Sequence, residues 1–193
     1  MKTKPAVGQE SNMTDRRGFL AQIAAIAAAA ALDPKSTTAA EPAPMPMIQL
    51  GKHRVSRLIA GSNPILGYSY SGRHADQQMK NYFTPERTTE FLLNCERAGI
   101  TTHQFADPDK ALPYLQPLRE RGSKMTFICL HSQREKIKDA VERTQPIAMV
   151  HHGGATDRLF AEGKAGQVHD YVKAVHDAGV LAGVSAHNPD CIK

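Results

Sequence analysis

Met125-Thr126-Phe127-Ile128-Cys129-Leu130 and, further on, Ile147-Ala148-Met149-Val150-His151 are short runs made almost entirely of apolar or small residues. Such runs read as strands buried on both faces, which is the signature of a parallel sheet; a sheet with one wet face would alternate apolar and polar residues. Working outward, comparable runs lie at residues 58–61, 101–106 and 180–185. Helical patterns fill most of the intervals. Thr84 caps a helix with Pro85 at its first position and an apolar face of Phe91, Leu92, Cys95 and Ala98, which Gly99 stops. Ser132 and Glu135 have the spacing of a capping box ahead of Ile137, Ala140 and Val141, and Pro146 ends that segment. Val168, Tyr171, Val172 and Val175 stripe a last helix that Gly179 terminates. Residues 110–121 are less regular, because Pro113 and Pro117 are expected to interrupt a helix there.

Strands alternating with helices in this way imply an α/β fold with a parallel sheet, either doubly wound or closing as a barrel. Periodicity does not choose between them. No GxGxxG follows the first run and no GxxxxGK[ST] occurs anywhere, so a dinucleotide fingerprint and a phosphate-binding loop both lack their carrying residues.

The chain has 193 residues and a formal net charge of +5. Residues 1–40 hold five Lys/Arg and three Asp/Glu, leaving 19 bases against 16 acids in the remainder. No basic stripe interleaved with aromatics appears, so nucleic acid is not an expected partner. Cys95, Cys129 and Cys191 are far apart, which writes neither a zinc ribbon nor a redox pair; Cys95 reads as helix packing and Cys129 as strand packing.

Residues 14–20, Thr-Asp-Arg-Arg-Gly-Phe-Leu, resemble the paired-arginine motif of twin-arginine export signals, with Arg16 and Arg17 as the pair. An Ala-rich apolar run of about 14 residues follows, shorter than the roughly 20 that span a bilayer, so no permanent membrane span is expected once the signal is processed. The organisation expected is a signal over residues 1–40, a Pro-rich spacer over 41–46 and a folded domain over 47–193. The resemblance implies a bacterial chain exported in its folded state by the twin-arginine translocase to the periplasm or cell envelope.

Leu50-Gly51-Lys52, then Val55-Ser56-Arg57-Leu58 and Gly61, resemble the opening of the aldo/keto reductases. The similarity continues through Gly99 and Ile100, the end of the fourth run at Val150 and His151, and Gly183, Val184 and Ser185 in the fifth. It implies a partial (β/α) barrel of about five parallel units, with Asn63, Gln104, His131, His151 and Ser185 near one edge. A complete eight-unit barrel takes roughly 250 residues, so a fragment is expected, or self-association through an open sheet edge. Residues 69–83 form a polar insertion with no counterpart in the family's usual first loop.

Carried over position by position, the family's tetrad is altered. Its Asp falls at Gln104, its proton-donating Tyr at Asp109 and its Lys at His131, while its His is matched by His151. Ser185 matches the cofactor side of the fifth strand, but the Asn that follows it in the family is Ala186 here. NADP(H)-dependent oxidoreduction is therefore the weaker expectation. The stronger is a barrel protein acting on a small polar sugar or hydroxy-carbonyl compound through His131, His151, Asp109 and Gln104, with Asn63, His152 and His187 touching substrate. A third is a non-catalytic or degenerate binding protein.

Strand ends rich in imidazole and carboxylate could also hold a divalent metal. His131, His151, His187, Asp107 and Asp109 are the candidate ligands. Side-chain alternation lets only one of His103 and Gln104, and one of His151 and His152, face inward.

Overall fold

The computed structural model describes residues 44–192. The expected export signal and the first half of the spacer, residues 41–43, lie outside the described residues. Among the described residues, no helix is long and apolar enough to cross a membrane.

The described chain opens with an antiparallel hairpin, β1 (Met47–Leu50) and β2 (His53–Ser56), pairing Leu50 with His53. Gly51 makes the turn at φ 57, a left-handed conformation that favours glycine, and packs beside the Leu181 side chain. Ser56 anchors the hairpin further: its N–H donates to Thr101 Oγ1 (3.0 Å), and Thr101 N–H donates back to Ser56 Oγ (2.8 Å). Through Thr101 and Leu181 the hairpin sits at the N-terminal end of the main sheet.

That sheet has four parallel strands in sequential order: β3 (Thr102–Ala106), β4 (Thr126–Leu130), β5 (Ala148–His151) and β6 (Leu181–Val184). The strand expected at residues 58–61 shrinks to a single bridge, in which Ala60 N–H donates to Thr102 O and Ala60 O accepts from Gln104 N–H. Its ladder stops because the chain turns at once: Ser62, Asn63 and Pro64 carbonyls accept from Leu66, Tyr68 and Gly67.

The helices are α1 (Arg73–Tyr82), α2 (Pro85–Arg97), α3 (Pro108–Glu120), α4 (Ile137–Thr144), α5 (Gly153–Ala161) and α6 (Gly166–Asp177). Helices α1 and α5 went unforeseen in the sequence. Thr84 caps α2 as expected, accepting from Arg87 N–H at 3.3 Å. The expected capping box of Ser132 and Glu135 does not form. A short 3-10 turn (Arg134–Lys136) leads into α4 with no side-chain cap, and Gln133 N–H donates instead to His131 Nδ1.

The expected interruption of α3 does not occur either. Each interior proline costs about 3 kcal/mol, yet Ala111, Tyr114, Leu115 and Leu118 are all buried. Each large apolar side chain so buried contributes about 1.5–3 kcal/mol, enough together to hold the helix across Pro113 and Pro117.

Registers run Phe105 to Cys129 to Met149 to Ala182, so these residues share one face with His103, Phe127 and His151. Most of them enter one apolar cluster with Leu92, Leu115, Ile137 and Val175 of α2, α3, α4 and α6. The opposite face carries Gln104, Leu130, Val150 and Gly183, all half-buried.

Candidate functional site

Parallel strands deliver their C-terminal ends to one edge, and the expected polar residues do gather along it. Backbone bonds fix the neighbours: His131 N–H donates to Val150 O (3.0 Å), and Ser185 N–H donates to His151 O (3.1 Å). Ser185 Oγ also donates to His151 O at 2.9 Å, so its hydroxyl is spent on the sheet.

The side chains do not converge on a common point. Asp107, at φ 64, caps α3, its Oδ1 accepting from Asp109 N–H while Oδ2 pairs with Lys110 Nζ at 3.1 Å. Asp109 is exposed and reaches outward to Arg143 Nη2 at 2.6 Å. His187, also exposed, holds Asp157 through Nδ1 at 2.7 Å. His152 is exposed at the cap of α5, and Asn63 is exposed in the turn after Ala60. Gln104 lies on the face opposite His151. Among the described residues, no group of three or more His, Cys, Asp or Glu is arranged to hold a metal ion. The carboxylates intended as ligands are taken up by Lys110, Arg143 and caps.

His103 answers the alternation question for β3. It is wholly buried on the helix-covered face, with Nδ1 2.8 Å from Ala60 O and Nε2 3.2 Å from the Tyr114 hydroxyl. A carbonyl only accepts, so Nδ1 carries the proton and Tyr114 O–H donates to Nε2. Burial, partly opposed by the Ala60 bond, pushes the imidazole down to about 4. His103 thus pins the lone bridge to β3.

His131 accepts from Gln133 N–H at Nδ1, and His151 is the strand-end imidazole that lines a cleft. Its Nδ1 lies 2.7 Å from Thr156 Oγ1, and that hydroxyl also lies 3.2 Å from His152 O. With the hydroxyl proton on His152 O, Thr156 accepts from His151 as the Nδ1–H tautomer and the Nε2 lone pair is bare; with that proton on Nδ1 the tautomer reverses. Burial, and secondarily the neighbouring His152, lowers its pKa, so the ring is neutral at pH 7. Burial likewise lowers that of His131, with Lys136 adding to the effect.

A 250 Å³ cleft opens beside His151, walled by Ser132, Arg134, Gln167, Asp170 and Tyr171. Arg134 Nη1 lies 3.5 Å from Asp170 across it. The Tyr171 ring meets His151 edge-on at 4.8 Å, and the Tyr171 hydroxyl is buried without a hydrogen-bond partner. Sequence reasoning counted Tyr171 as part of an apolar stripe; a phenol within such a stripe was the signal that could have found it. Nothing in the spacing from His151 to Thr156 marks their bond.

Neither models of known protein families, nor curated proteins, nor solved structures yield a match to this chain.

Proposed function

We propose that the protein is an exported, aldo/keto-reductase-like partial β/α barrel that acts on a small hydroxy-carbonyl compound or sugar bound beside His151, which serves as general base. The sequential strand order and the apolar face shared with four helices support barrel-type winding. The observation that carries the chemistry is the Thr156 contact to Nδ1: in the Nδ1–H tautomer that this contact accommodates, Nε2 is the nitrogen able to take a proton. Low basicity from burial keeps that nitrogen unprotonated at neutral pH. Ser132, Gln167, Arg134 and Asp170 supply donors and acceptors for hydroxyl groups.

In the step proposed, Nε2 removes the proton from the carbon between hydroxyl and carbonyl. The C–H pair moves into a C=C bond while the carbonyl oxygen becomes an enediolate. Return of the proton to the same carbon regenerates substrate; its delivery to the former carbonyl carbon, with the hydroxyl proton passing to the enediolate oxygen, gives the isomer, so atoms and electrons balance without an added oxidant.

Incubating the full chain with glycolaldehyde, glyceraldehyde and dihydroxyacetone in D2O tests this by proton NMR. Deuterium should enter the carbon-bound position faster than in buffer, and His151→Gln should slow that exchange by about 10²–10⁴-fold. Exchange equal to buffer, or unchanged in the variant, would refute the proposal.

A further inference from the structure

The polar insertion at residues 69–83 builds something the His151 site does not use. Ser69 N–H donates to Asp76 Oδ1 at 2.8 Å, which ties the insertion to the first turn of α1. The stem of Lys80 then packs over Gly67, where φ is +68 and a Cβ would come within 2.6 Å of Asp76 O. Phe83, at the end of α1, stacks edge-on with Phe91 at 5.6 Å and packs against the main core. These contacts close one wall of a 390 Å³ cavity whose other walls come from α2 and α3.

The cavity shares no residue with the cleft beside His151. Tyr68, Lys80, Phe83, Thr88, Lys110 and Tyr114 give it its chemistry. Two lysines and no acidic residue line it, and apart from Thr88 the other lining residues are aromatic or aliphatic. Lys110 is shared with Asp107, but Lys80 makes no ion pair among the described residues. Thr88 is 1% exposed, and its Oγ1 is a buried hydroxyl with no partner. Native proteins pair such groups, and Thr88 is part of this cavity's wall.

We propose that this cavity binds a small organic monoanion with an apolar body, of the aromatic carboxylate class. The carboxylate lies between Lys80 and Lys110, and the ring sits against Phe83 and Tyr68, with Thr88 as the buried hydrogen-bonding group. A charge-assisted bond to Lys80 supplies affinity that a neutral analogue lacks.

Titration of the isotopically labelled full chain with benzoate, followed by amide NMR, tests the proposal, with benzyl alcohol as the neutral comparison. Benzoate should saturate, with shifts centred on the amides of Tyr68, Phe83 and Thr88. Benzyl alcohol, and benzoate on Lys80→Met, should each bind about tenfold more weakly. Thr88→Val keeps the side chain's shape, so it should fold normally and still bind more weakly. Lys138→Met, on an exposed face of α4, should bind as the parent does. Absence of saturation, shifts centred elsewhere, equal binding of the alcohol, or unchanged binding by Lys80→Met would each overturn the assignment. None of these outcomes depends on His151, so His151→Gln should bind benzoate unchanged even where it loses proton exchange.

Discussion

Replacing His103 with Phe removes two buried hydrogen bonds at once, those to Ala60 O and the Tyr114 hydroxyl. Phenylalanine fills similar space, so the cost comes from leaving the buried Tyr114 hydroxyl unpaired, at about 1–3 kcal/mol, and from losing one of the two hydrogen bonds on Ala60 O, which keeps Gln104 N–H, at about 0.5–1.5 kcal/mol. A loss of about 1.5–4.5 kcal/mol at pH 7 is expected, a large share of a single domain's stability. The pH dependence is more diagnostic. The native imidazole titrates at about 4 against an ordinary 6.5. Because the folded value is the lower one, the unfolded chain takes up the proton first. The stability contributed by neutral His103 is therefore complete above pH 6.5 and drains away as the pH falls toward 4. At about 1.4 kcal/mol per pH unit, that drain amounts to about 3 kcal/mol between pH 7 and pH 4. Urea unfolding followed by circular dichroism at stepped pH measures both quantities in the parent and in His103→Phe. The variant should be much less stable than the parent at pH 7, and the gap between them should narrow by about 3 kcal/mol by pH 4. His131 and His151 titrate in both proteins, so their contributions cancel in the difference. A gap that stays constant with pH would refute the buried neutral imidazole, and equal urea midpoints at pH 7 would refute its role in pinning the bridge.

Changing Arg16 and Arg17 together to Lys should abolish export of the tagged full chain, read as loss of the protein from the periplasmic fraction; unchanged export would contradict the twin-arginine assignment. Gln145 ends α4 in the left-handed region at φ 44, ψ 53. Gln145→Gly should relieve that cost and raise stability by up to about 1 kcal/mol, and a lower melting temperature would show that the Gln145 side chain contributes more than its backbone conformation costs.

Four of the five expected parallel runs are strands because nearly continuous apolar runs have few other places to go: Phe127, Cys129 and Met149 are buried between sheet and helices. The run at residues 58–61 stops short at its C-terminal side, where turn bonds to the Ser62, Asn63 and Pro64 carbonyls override it. Helix α3 departs from expectation in the opposite direction, since burial of Leu115 and Leu118 outweighs two prolines whose penalty is a local propensity. Helix α1 was illegible because none of its residues is buried, so it carries no core-facing stripe that sequence alone would expose. The site was legible as a place but not as a mechanism. Parallel topology brings His131, His151 and Ser185 to one edge, whereas the fate of each side chain depends on partners such as Arg143, Asp157 and Thr156, whose positions no motif encodes.

His103 and His151 show why residue type and strand position are not enough. Both stand on the helix-covered face of the sheet by register, and both meet a tyrosine from a packed helix, Tyr114 of α3 or Tyr171 of α6. The outcomes diverge at single atoms. Tyr114 donates its hydroxyl proton to His103 Nε2, so with Nδ1 on Ala60 O both nitrogens are consumed and the residue is structural. Tyr171 presents its ring edge to His151 and leaves its hydroxyl unpaired, while Thr156 takes only Nδ1. One bare nitrogen in the wall of a cleft is what separates a base from a strut, and it makes His151 the residue on which the proposed chemistry depends. By the same reasoning, a group that supplied a donor to Nε2 from α6 would convert His151 into a second His103, with the pocket intact and the base gone.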